Sequence, residues 1–281
     1  MRIMNPPAFS WTWGSASKTV ITLTAIESLL HDMWAINRVL VIAPLRVAQS
    51  TWKQEAAKWP HLRNLSFALA VGSAKERRAA LRANAEVTVI NRENVQWLVS
   101  ELGAKWPFDM VVIDELSSFR NPSAKRFKAL RKVRPVIKRV VGLTGTPAPK
   151  GLIDLWAQIY LLDQGERLGR TVSSYRNRWF SAGRHDGYVV YEWLPRKGAE
   201  ESIYGKLSDI CLSMQAVDHI DMPACTRIVE KVGLPPKARK QYRRLERDYV
   251  LALNAETTVS AVSAGALAGK LQQLANGSVY T

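Results

Sequence analysis

The chain has little cysteine: Cys211 and Cys225 are the only two among 281 residues. They lack a metal-ligand spacing and stand beside just four histidines, which argues against a disulfide framework or a structural zinc site. No apolar run is long enough to span a bilayer. The first residues, with Pro6, Pro7, Phe9, Trp11 and Trp13, have neither the apolar core nor the cleavage site of a secretory leader. These absences predict a cytoplasmic protein with no membrane partner. Internal repeats and low-complexity tracts are missing too, which argues against a solenoid or a disordered tail. Negative charge is scarce: 24 Asp and Glu stand against 40 Lys and Arg, giving a formal charge of +16.

What is present is enough apolar material, 47% of residues, to bury a core as one large domain or two small ones. The shortage of acid is sharpest between Leu116 and Ile153. That stretch carries Arg120, Lys125, Arg126, Lys128, Arg131, Lys132, Arg134, Lys138, Arg139 and Lys150 and no acidic residue. Such a run is either a solvated helix face or a contact for a nucleic-acid backbone. Its length, in a chain this basic, favours the backbone contact.

The chain is organised around residues 109–147. Met110 to Ile113 is short, apolar and β-branched, as expected of a strand buried on both faces of a parallel sheet. It ends in Asp114 and Glu115. Ligands of open α/β sheets bind beyond the carboxyl ends of the strands, so these carboxylates are placed to hold hydrated magnesium and polarise a water. A second strand, Arg139 to Leu143, runs into Thr144, Gly145, Thr146 and Pro147, small or hydroxylated residues that allow close backbone approach. Each half alone reads equally well as a helix cap or an ordinary turn. Earlier in the chain, apolar spacing from Val20 to Leu29 predicts a helix with Lys18 and Thr19 at its amino end, where backbone N–H groups favour phosphate. Gly14, Ser15, Ala16 and Ser17 precede them, so this is half a phosphate-binding loop, with Ser17 carrying a Cβ where the loop needs glycine. The three pieces together favour a nucleotide site.

The segment DELSSFRNPSAKR resembles the Walker B region of superfamily-two helicases of the Swi/Snf-like branch, of phage or prophage type, and LTGTP resembles that branch's motif III. Leu116 and Ser117 stand where the family usually has Ala and His, a departure expected to be tolerated. The resemblance implies ATP and Mg2+ as cofactors and double-stranded DNA as partner. It assigns Lys18 to the phosphates, with Gly14 and Ser17 in the same loop, Thr19 and Asp114 to magnesium, and Glu115 to the attacking water. Thr144, Gly145 and Thr146 would couple nucleotide state to the DNA groove. Pro44 to Arg46 resembles motif Ia and would touch one strand, with Trp52 and Glu55 matching a following Trp-x-x-Glu. For Trp52 a plain core role is the preferred reading. Asn91 to Asn94 lies where motif Ib contacts the nucleic acid, and Asn91 serves equally well as a helix N-cap. Arg120, Lys125 and Arg126 join this interface, and Tyr175-x-x-Arg178-Trp179-Phe180 resembles the family's helical protrusion.

Related translocases commonly read Phe-Leu-Asp-Met-Gly-Leu-Gly-Lys-Thr at the phosphate loop. A suitable choice of codons for that string, read one base late, yields the Ser10 to Ala16 sequence, so frame damage is one explanation for the altered loop. The expected fold is α/β: a RecA-like P-loop NTPase lobe over residues 1–160, atypical over 1–17, with a mostly parallel sheet flanked by helices. Residues 161–281 are expected to form a helical extension with a returning strand over 226–232. The resemblance implies the amino-terminal ATPase lobe of a translocase, in truncated or loop-damaged form, with the second RecA-like lobe absent or supplied by a longer or separate chain. The alternatives are a non-catalytic basic DNA-binding module and a motor fragment of a restriction system.

Overall fold

A computed structural model describes the chain except residues 1–8, 12–14, 147, 150, 188, 214–227, 229, 231, 253–257, 261–262 and 279–281. The described residues fall into two compact units, Met1–Met222 and Pro223–Thr281.

The first unit is built on a seven-stranded sheet. In chain order its strands are β1 (Phe9–Trp11), β2 (Val39–Ala43), β3 (Phe67–Ala70), β4 (Val87–Asn91), β5 (Met110–Asp114) and β6 (Arg139–Thr144), with a later strand, Cys211–Ser213, at the edge. The spatial order is β3-β4-β2-β5-β6-β1 and then that edge strand, and every pairing is parallel. The strands expected at Met110 to Ile113 and Arg139 to Leu143 are present as β5 and β6, side by side within the sheet. Two strands were not legible: the sequence of β1 is rich in Trp and Ser, and the edge strand is three residues long.

Side-chain alternation divides the core into two layers. Val39, Val41, Val87, Val89, Met110 and Val112 face one layer, packed with Leu23 and Ile26 of α1 (Ser15–Glu27) and with Trp52 and Ala56 of α2 (Trp52–Lys58). Leu40, Ile42, Ile90, Val111, Ile113 and Val140 face the other. There they meet α4 (Val95–Leu102), α5 (Lys125–Val133) and α6 (Leu155–Asp163), after α3 (Ala74–Arg82) has returned the chain from β3 to β4. The sheet is covered on both faces, so β2 and β4 are buried throughout and their sequences are almost wholly apolar.

The division between the units falls after Met222, beyond the residue-160 boundary expected from sequence. Tyr175 and Trp179 of α7 (Val172–Trp179), and Ile203 and Leu207 of α8 (Ala199–Leu207), complete the same core layer as α6. Between these helices lies a hairpin, in which β7 (Phe180–Ala182) pairs antiparallel with β8 (Trp193–Pro195). The edge strand Cys211–Ser213 is β9. The returning strand expected over 226–232 falls largely on residues outside the described set.

In the second unit α9 (Pro236–Asp248) packs through Tyr242 and Leu245 against Leu267, Leu271 and Leu274 of α10 (Ala264–Ala275), beside the short ribbon β10 (Val250–Ala252) and β11 (Thr258–Ser260). The helix ends at Asp248, because Tyr249 is left-handed at φ 58°. Tyr249 therefore lies beyond it. No helix among the described residues is long and apolar enough to cross a membrane.

Candidate functional site

All strands of the main sheet are parallel, so their carboxyl ends share one edge, and the candidate residues collect along it. β5 delivers Asp114 with the same facing as Met110 and Val112, toward α1 and α2. There the indole Nε1 of the fully buried Trp52 donates to Asp114 Oδ2 at 3.2 Å. Burial pushes the Asp114 carboxyl above the usual carboxylate range and the charge of Glu115 adds to this, while the Trp52 hydrogen bond and the Lys18 ammonium oppose it.

At Glu115 the backbone turns left-handed (φ 59°, ψ 61°), an uncommon state for a residue with a side chain. The side chain is held on both sides. Ser117 Oγ donates to Glu115 Oε1, and Thr144 Oγ1 donates to the same oxygen at 2.8 Å. Thr144, fully buried at the end of β6, accepts the Thr146 amide at 3.2 Å, so Glu115, Thr144 and Thr146 form one connected chain. Leu116 packs closely on Gly142 of β6: a Cβ added there would overlap Leu116 Cδ2, so a larger residue would make that side chain shift. Leu116 and Ser117, the departures from the family pattern, are thus a core contact and a clamp on the carboxylate.

Lys18 approaches from α1, the helix that follows β1. A Cβ added to Gly145 would sit 3.8 Å from Lys18 Nζ, which puts the ammonium over the end of β6. The helix α1 begins at Ser15, so Lys18 lies nearly one turn inside it and not at its first residue. By helical geometry the free amides belong to Ser15, Ala16 and Ser17. Thr19 is buried, and Gly14 lies outside the described residues. One ammonium, two carboxylates and adjacent hydroxyls are a donor set suited to a magnesium-bound phosphate chain. Among the described residues there is no cluster of three or more potential metal ligands, and magnesium is commonly held by one or two carboxylates together with phosphate and water.

The remaining candidates divide. Pro44 and Arg46 follow β2 on the same edge, and Arg46 is exposed. Asn91 ends β4 but is buried: its amide donates to Glu93 Oε2 at 2.9 Å and its oxygen accepts from Asn94 at 2.5 Å. It occupies the N-cap position of the following turn without a side-chain cap. Arg120 donates to the Ser117 carbonyl at 3.3 Å and pairs with Asp154 at 3.8 Å. Lys125 is exposed at the head of α5, and the guanidinium of Arg126 lies 5.9 Å from the centre of the Phe119 ring.

The one-sign basic run is not one surface. A crossover helix runs back from the carboxyl edge to the amino edge, so Lys125 and Lys138 lie at opposite ends of the crossover. Lys138 pairs with Asp109 at 2.7 Å, at the start of β5. Arg134 is buried and donates to the carbonyls of Leu161 (2.5 Å), Leu162 (2.5 Å) and Ile137 (2.9 Å). It caps the carboxyl end of α6 and is closed to a polyanion.

Residues 15–276 match the SNF2-related domain. "Putative protein p41" of Acyrthosiphon pisum secondary endosymbiont phage 1 is 43% identical over 277 residues, which is 96% of this chain and 60% of that protein. "Transcription regulatory protein SNF2" of Saccharomyces cerevisiae is 30% identical over 167 residues, covering 58% of this chain and 9% of that one. The Sulfolobus solfataricus SWI2/SNF2 ATPase core, solved in complex with double-stranded DNA, shares the fold with a TM-score of 0.59 at 22% identity. That likeness covers 75% of this chain and 40% of the other. The chain spans less than two thirds of the length of these proteins.

Proposed function

The chain belongs to the SNF2-related domain family, and from that premise we propose that it is the first RecA-like lobe of an ATP-driven translocase of double-stranded DNA. The observation that carries this reading is the convergence of Lys18, Asp114, Glu115 and Thr144 at the carboxyl edge of β5 and β6. In the proposed roles Lys18 pairs with the β- and γ-phosphates, Thr19 and Asp114 hold magnesium, and Glu115 orients the attacking water. The bound magnesium and nucleotide would supply the phosphoryl group and the metal charge that offsets its negative charge. Ser117 and Thr144 fix the Glu115 carboxylate, and Thr146 carries its position toward the loop after β6. Double-stranded DNA would cross the same edge near Arg46, Arg120, Lys125 and Arg126. The buried Asn91 leaves the contact after β4 to its neighbour Arg92.

Two features set the level of activity. Ser17 stands directly before Lys18 inside a helix, where wrapping a phosphate calls for glycine. Phosphoryl transfer in this class also draws on an arginine from an opposing lobe, worth roughly a thousand-fold or more in rate. We place that lobe in a longer or separate chain. The Ser17 feature favours a second reading, a DNA-binding module with a weakened nucleotide site.

The test is nucleotide binding and steady-state hydrolysis by the purified chain with saturating duplex DNA. Weak, magnesium-dependent ATP binding that Lys18→Ala abolishes, with negligible turnover, is the expected result. Binding indifferent to Lys18→Ala contradicts the site, and robust turnover lost in Glu115→Gln contradicts the need for an opposing lobe.

A further inference from the structure

The second unit carries a charged surface that the nucleotide site does not use. Along α9, Lys237, Arg239, Lys240, Arg243, Arg244 and Arg247 are all exposed. At 3.6 residues per turn these positions occupy one side of the helix, while Tyr242 and Leu245 occupy the other and are packed against α10. The apolar anchor fixes the rotation of the helix, so the cations face outward by construction. Five of them, with Leu234 and Pro236, line a single open groove of about 620 Å³. Asp248 pairs with Arg247 at 2.6 Å and lies 4.0 Å from Arg244, whereas Arg239, Lys240 and Arg243 form no ion pair with a described residue.

We propose that this face of α9 is a second contact for a nucleic-acid phosphate backbone, separate from the carboxyl edge of the sheet. Arg239, Arg243 and Arg247 repeat every four residues, about 6 Å apart along the axis. A regular row of this kind suits a ligand whose charges also repeat at fixed intervals. Arginine predominates, and its planar fork binds phosphate through two hydrogen bonds at once. A membrane surface is the poorer fit. Helices that lie in the headgroup region insert an apolar face beside their cations, and on α9 that face is already covered by α10. Because counterion release dominates such binding, this face would add affinity without reading sequence. It does not depend on the nucleotide site.

The experiment uses the full chain and a fluorescein-labelled duplex of mixed sequence, with binding followed by anisotropy across a salt series. The triple variant Arg239→Gln, Arg243→Gln, Arg247→Gln should flatten the log-log salt dependence by about 0.9 for each phosphate no longer neutralised and weaken binding at least about tenfold at low salt. A parallel variant with Lys at the same three positions keeps the charge and should retain most of the slope. A second arm, Lys125→Ala with Lys128→Ala, reports the sheet edge. Weaker binding only in the α9 variant supports the proposal and counts against the sheet edge as the main contact. Weaker binding only in the sheet-edge variant overturns the proposal and leaves the translocase reading standing. Binding to vesicles of anionic phospholipid with no binding to duplex also overturns it. If the Gln variant fails to fold, unchanged slope and affinity in Arg243→Gln alone, with a normal melting curve, overturns it.

Discussion

Trp52 Nε1 donates to Asp114 Oδ2 at 3.2 Å, tying the helix after β2 to the carboxylate that ends β5. The indole is fully buried and Asp114 is half-buried, and burial raises the Asp114 pKa, which makes the donor the means by which a partly desolvated acid is satisfied. Trp52→Phe should destabilise the fold by about 2–4 kcal/mol, through reduced volume and a missing hydrogen-bond donor. In an Asp114→Ala background the same change should cost about 1 kcal/mol less. Urea denaturation of the four proteins in this cycle checks it. Additivity within about 0.5 kcal/mol contradicts the coupling.

Arg134 and Lys125 come from the same basic run and should separate cleanly. Arg134→Met orphans three buried carbonyls and should cost about 3 kcal/mol or more of stability, leaving the salt slope of DNA binding unchanged in the folded fraction. Lys125→Ala with Lys128→Ala should shift stability by no more than about 0.5 kcal/mol and flatten the slope by about one for each lysine that reaches a phosphate. Thermal melts beside salt-dependent titrations distinguish the two, and a reversed pattern contradicts the assignment.

His31, in the π-helical turn Ser28–Asp32 that follows α1, bonds Glu86 at 2.7 Å and Glu27 at 3.4 Å. The Glu86 hydrogen bond raises the imidazole pKa above its ordinary 6.5 in spite of partial desolvation. A raised folded-state pKa gives stability that is fully present below about pH 6.5 and lost as pH rises through the folded value. On Glu86 burial works upward, and the Ser66 amide and His31 outweigh it, so that its contribution is lost only as pH falls below the usual range. The chain should therefore be more stable at pH 6 than at pH 8, by about 1 kcal/mol or less for a half-exposed pair. His31→Gln should abolish that difference in melting experiments. An unchanged difference contradicts the role of His31.

The strands that are almost wholly apolar, β2, β4 and β5, announce themselves in the sequence, because burial on both faces leaves little room for polar residues. Asp114 and Glu115 are legible for the same reason, as charge at the end of such a run. Strand β1 is not: it is three residues long and carries no run of aliphatic residues. The clamps on the site are equally hidden. Trp52 and Asp114 are 62 positions apart, Thr144 and Glu115 are 29 apart, and no local pattern encodes either meeting. Ser117 looks in sequence like a family residue replaced, and only the fold shows its hydroxyl on Glu115. The basic run misleads in the opposite direction, since sequence records its sign but not that Arg134 turns inward.

The proposed nucleotide site is tested most directly by repairing its loop. Equilibrium binding of ATP with magnesium should be measured on the parent chain, on Ser17→Gly, and on Ser17→Gly combined with Lys18→Ala or with Asp114→Asn. Glycine before Lys18 frees the backbone to close on phosphate, so the repaired chain should bind at least about tenfold more tightly than the parent, a gain of roughly 1.4 kcal/mol. Both double variants should lose it. A repaired chain that binds no better than the parent, or one whose binding survives Lys18→Ala and Asp114→Asn, would contradict a nucleotide site at the edge of β5 and β6.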